Sequence, residues 1–153
     1  MDMTANNKIL RIINLEAGRF RHLSENEVSI KPSPDKWSKK EILGHLIDSA
    51  SNNHQRFVRV LQVDELLSPG YTQNEWVRLQ DYAHEDWPII VDLWACLNQH
   101  LAHIISRVPL AKLSTLCRIG ERPAITLETL INDYIKHMEH HLGQIDPEYK
   151  GFE

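Results

Sequence analysis

Four stretches of about twenty residues place apolar side chains at helical spacing, and none sustains the period-2 alternation of a half-buried strand. Four such stripes must be covered by one another, so the pattern predicts an all-α four-helix bundle. The first helix is expected from about Thr4 to Leu23, with Ile9, Leu10, Ile13, Ala17 and Phe20 on one face. Pro32 and Pro34 forbid its continuation. Ser38, with Glu41 three residues on, forms a capping-box signature for a second helix reaching about Val63. Asp86-Trp87-Pro88 opens the third, which runs to about Arg107 before Pro109. The fourth begins near Pro123, with Thr126 as a cap, and runs through Leu130, Tyr134 and Met138 to Ile145 before Pro147.

The connections differ in length. Asp64 to Glu85, between the second and third helices, is too long for a tight turn and carries Tyr71 and Trp76. A short helix is expected over Asn74 to Tyr82, and the whole segment is expected to fold over the mouth of a site. With 153 residues, no repeats and no linker, the chain reads as a single domain spanning 1–153.

Composition removes several function classes. The 17 basic and 21 acidic residues give a net charge of −4, which offers no basic footprint for nucleic acid. No apolar run is long enough to span a membrane, and Met1-Asp2-Met3-Thr4 does not resemble a signal peptide. Cys96 and Cys117 form no disulfide framework, so two reduced thiols in a cytoplasmic protein are expected.

Nine histidines are an unusual endowment. His137 and His141 lie four apart in the fourth helix, one turn from each other on one face. Counting roughly 100° per residue, they share the arc of Leu130 and Tyr134, so the pair faces the bundle interior. His140 is rotated out of that arc. Buried imidazoles need partners. These are either backbone carbonyls and Asp133, as for packed core histidines, or a metal ion. In the second helix His45, Ser49, Asn52 and Arg56 form a polar stripe beside the apolar arc. Such a stripe is either a solvated edge or the rim of an internal site. Three imidazoles from two helices leave coordination positions open, the layout of a catalytic centre. The His-Glu-x-x-His metalloprotease pattern is absent, because position 138 is Met. His22, His54, His84, His100 and His103 read as structural or surface residues.

Asp35-Lys36-Trp37-Ser38, Ile42 through Ser49, Asn52 and Arg56-Phe57 together resemble the first half of DinB/YfiT-like proteins. The likeness continues through Tyr71, Trp76, Leu79, Ile125-Thr126-Leu127-Glu128 and His137-x-x-His140-His141, and is nearest to the YfiT-like branch. The resemblance implies a four-helix bundle binding one divalent metal per chain, zinc or nickel, through His45, His137 and His141. It also implies a homodimer. Members of the family include small-thiol S-transferases, maleylpyruvate isomerases and proteins described as metal-dependent hydrolases. Ala50 and Asn53-His54-Gln55 depart from close relatives, which leaves the ligands intact and the substrate open.

The expected function is a metal-dependent transfer reaction on a low-molecular-weight thiol, with Asn52 and Arg56 holding the substrate, Arg56 through a bidentate contact with a carboxylate. No general base stands beside the ligands by spacing, and a thiolate needs none for its attack. Hydrolysis by metal-activated water and a non-catalytic metal-binding bundle are the alternatives.

Overall fold

The computed structural model describes residues 4–151. Its four long helices are α1 (Ala5–Arg21), α3 (Lys39–Val60), α5 (Trp87–Ser106) and α6 (Leu127–Ile145), with the short helices α2 (Glu25–Ser29) and α4 (Gln73–Gln80) between them. Helix α1 packs on α5, while α3 packs on both α5 and α6, so α3 stands at the centre of the bundle. Both ends of Ser38–Glu41 close as a capping box: Glu41 N–H donates to Ser38 Oγ at 3.3 Å and Ser38 N–H to Glu41 Oε2 at 2.8 Å. Thr126 caps α6 by accepting from the Thr129 amide at 3.2 Å.

The expectation of no strands needs correcting. Strands β1 (Glu65–Ser68), β2 (Leu116–Ile119) and β3 (Ile125–Thr126) form a small sheet in the order β1-β2-β3, with β1 parallel to β2 and β2 antiparallel to β3. Residues just before Thr126, expected as the start of the fourth helix, therefore belong to a strand. The segment 64–85 is likewise ordered: β1, then α4 overlapping the expected short helix of Asn74 to Tyr82, then a 3-10 turn at Tyr82–His84. Asp81 ends α4 in the left-handed region at φ 54°, a conformation aspartate tolerates through its short polar side chain.

Two interiors result. Between α1 and α5 the core is dry and aromatic: Phe20, Trp87 and Trp94 are essentially fully buried, with Phe20 5.7 Å from Trp94 and 6.1 Å from Trp87 by ring centroid. The Trp87 indole N–H is satisfied by the Phe20 carbonyl at 2.7 Å. Along α3, the buried set includes His45, Asp48, Ser49, Asn53 and Arg56. Gly44 lies where Tyr82 crosses α3, and a Cβ there would sit 2.2 Å from the Tyr82 ring. The missing side chain lets Tyr82 reach the buried Asp48 carboxylate at 2.8 Å, which also receives Gln80 at 2.6 Å.

Candidate metal centre

Helices α3 and α6 bring His45, His137 and His141 together, with one ligand atom of each within 4.8 Å of the others. His45 Nε2 and His137 Nε2 are 3.0 Å apart. Metal–nitrogen bonds of about 2.0–2.1 Å set two nitrogens of a tetrahedral site about 3.4 Å apart, so the triad fits a divalent ion with small adjustment. The outer nitrogens support the same assignment. His141 Nδ1 meets Gln144 Oε1 at 2.8 Å, and His137 Nδ1 lies 3.5 Å from Ser49 Oγ. With Nδ1 acting as donor, the Nε2 lone pairs are left to converge.

Burial, reinforced by the other two histidines, pushes His45 down to about 3. His137 falls to about 4, through burial first and then the neighbouring His141 and His140. His141 is lowered as well, chiefly by burial, though its bond to Gln144 opposes the shift. All three imidazoles are therefore neutral at pH 7, the form that binds metal.

Trp37 covers the triad, its ring centroid 4.9 Å from His45 and 6.5 Å from His141. The segment before α3 thus contributes an aromatic ring beside the triad. The segment 64–85, expected to fold over the mouth of the site, contributes to a cavity of about 460 Å³ beside His137, where Tyr71 forms part of the wall and Trp76 packs on Tyr71 at 4.9 Å. Ser49, Asn53 and Arg56 from α3, Asp133 from α6 and Arg122 from the turn after β2 line the same cavity.

Asn52 is placed differently from its expected role. Its amide donates to the Asp48 carbonyl at 2.9 Å, and Asn53, one residue on, lines the cavity. From His45, Asn53 is rotated roughly 80° toward the apolar arc and Asn52 roughly −20° toward solvent; the cavity opens on the apolar side. Arg56 is buried where the stripe predicts it, donating to Asn53 Oδ1 at 3.4 Å and the Pro69 carbonyl at 3.3 Å. Sequence spacing had no means of finding Arg122, which reaches the site only through the β2 turn. Trp37 was signalled only by its place in the family-like run. Outside the triad, His54 of α3 packs on His100 of α5 at 5.4 Å, and His103 lies 6.4 Å from His100.

A four-helix bundle in which α3 and α6 present three imidazoles beside a polar cavity has the donor set to hold a divalent metal ion. The chain belongs to the DinB superfamily, which it matches over residues 15–145. It is 25% identical over 125 residues to the "Putative metal-dependent hydrolase BH0277" of Halalkalibacterium halodurans, covering 80% of this chain and 71% of that protein. It also superposes on YfiT from Bacillus subtilis, described as a probable metal-dependent hydrolase with an unusual four-helix bundle topology. That superposition has a TM-score of 0.80 at 18% identity and covers 95% of this chain and 87% of YfiT. Among the described residues no helix is long and apolar enough to cross a membrane.

Proposed function

We propose that this chain is a divalent-metal-dependent enzyme that transfers a small thiol to an electrophile, using one zinc or nickel ion per chain held by His45, His137 and His141. The observation that carries the reading is the juxtaposition of this triad with a cavity that contains a buried arginine. A divalent ion there supplies Lewis acidity, lowering the pKa of a thiol or a water so that a nucleophile exists at neutral pH. The chain's own residues do the rest. Arg56 orients a substrate anion, Asn53 takes the place expected of Asn52, and Trp37 shields the histidines from bulk water. A sulfur–carbon bond forms, the leaving group departs from the electrophile, and the thiol proton passes to solvent. A homodimer accompanies this reading, as the resemblance to the family implies.

Hydrolysis is the second reading, and one residue favours it. Asp133 lies one turn before His137 and is among the residues that line the cavity, where a carboxylate can accept a proton from water. The names of the two relatives point the same way.

The deciding assay gives metal-loaded protein monochlorobimane and a panel of low-molecular-weight thiols. Turnover should need both thiol and metal, fall in Arg56→Lys and persist in Asp133→Asn. Ester or amide cleavage that consumes no thiol and is abolished by Asp133→Asn would replace transfer with hydrolysis.

A further inference from the structure

Among the described residues Arg56 is a cation without a counter-ion. It is 7% exposed, its two hydrogen bonds go to the neutral acceptors Asn53 Oδ1 and the Pro69 carbonyl, and its Nε has no partner. A buried guanidinium in that state carries an unrecovered desolvation penalty, which an anion would offset. Arg122 lines the same cavity and makes no salt bridge among the described residues. The two positive charges are close enough to repel each other, with Tyr71 beside both. Glu121 and Asp133 also line the cavity, yet neither pairs with either arginine. Two cations and two fixed carboxylates suit a singly charged planar anion better than a dianion.

We propose that Arg56 and Arg122 form a carboxylate-binding subsite at the end of the cavity away from the triad. The substrate class is then a small bifunctional molecule, a carboxylic acid at one end and the reacting group at the His137 end. A cavity of about 460 Å³ accommodates a molecule of that kind. Arg56 supplies the bidentate fork and the exposed Arg122 closes over the ligand from the β2 turn. The substrate assignment rests on the metal-enzyme reading above; the subsite itself does not.

NMR titration of the full chain tests it, with four probes: butyrate, butyramide, 3-mercaptopropionate and 3-mercaptopropionamide. Each acid should bind about tenfold more tightly than its amide, the expected effect of a charge-assisted contact. The preference should survive removal of metal, and it should disappear in Arg122→Gln and in Arg56→Lys. Arg122→Gln alters an exposed side chain and keeps the test valid if the Arg56 variant fails to fold. A preference for butyrate with none for thiols would keep the subsite and remove the thiol reading. Equal binding of acids and amides would overturn the subsite. So would a preference that vanishes with the metal, one that persists in Arg122→Gln, or tighter binding of inorganic phosphate than of either acid.

Discussion

The α1–α5 half of the bundle and the α3–α6 half are built from helices of similar length, yet their interiors obey different rules. Between α1 and α5, Phe20, Trp87 and Trp94 fill space with carbon. Between α3 and α6, His45 Nδ1 and Arg56 Nε are buried without partners. Dispersion and water exclusion dominate the first interior, although Trp94 Nε1 is also buried there without a partner. The second gathers three imidazoles and a guanidinium beside an open cavity, and that contrast separates scaffold from site.

Breaking the dry half should have the largest effect. Trp94→Ala is expected to destabilise the fold by about 3–5 kcal/mol in urea unfolding. A loss below 1 kcal/mol would mean that half is not the scaffold. On the polar side, zinc at a hundredfold excess over its Kd should stabilise the wild type by about 2.7 kcal/mol. His141→Ala should lose both that gain and the bound metal, read by elemental analysis; full metal retention would dissolve the contrast. Gly44→Ala, at the border where Tyr82 crosses α3, should cost about 1–3 kcal/mol through overpacking, measured in the same unfolding experiment.

Acidification should act on the polar half through its histidines. Unfolded histidines take up protons near pH 6.5, whereas His45 and His137 in the fold resist to about 3 and about 4. In that window the unfolded state binds more protons, so the metal-free protein should lose stability as pH falls from about 6.5 toward 4. Melting curves at pH 7.5 and 5.5 should show the decline in wild type and a smaller one in His137→Asn; identical slopes would contradict it. The smallest effect is expected from His140→Ala. Its side chain is exposed and outside the triad, so stability should stay within about 0.5 kcal/mol and metal content should be unchanged.

What the sequence disclosed follows the range over which each signal acts. Caps such as Ser38–Glu41 and the i,i+4 pair His137/His141 are local, and both were legible. On α3 the spacing placed His45, Ser49, Asn52 and Arg56 on one stripe and left solvated edge and site rim both open. His45, Ser49 and Arg56 are buried, and Asn53 rather than Asn52 lines the cavity. The small sheet escaped altogether. Its strands have four, four and two residues, and Glu65 pairs with Leu116 across a third of the chain, so neither periodicity nor length announces it. Arg122 escaped with it, being positioned by that pairing.

The β1–β2 pairing builds one wall of the cavity from two loops, opposite the helices that carry the histidines, Asn53 and Arg56. Gly70 and Tyr71 follow β1, and Gly120 and Arg122 follow β2; Gly120 N–H donates to the Ser68 carbonyl at 2.9 Å, tying the two connections together. That wall is stitched to itself across from α3 and α6. Residues there can be exchanged as a cassette, retuning which molecules are admitted while the histidines on the helices stay where they are. A bundle arranged this way can diversify its chemistry by rewriting two short loops, without having to fold anew.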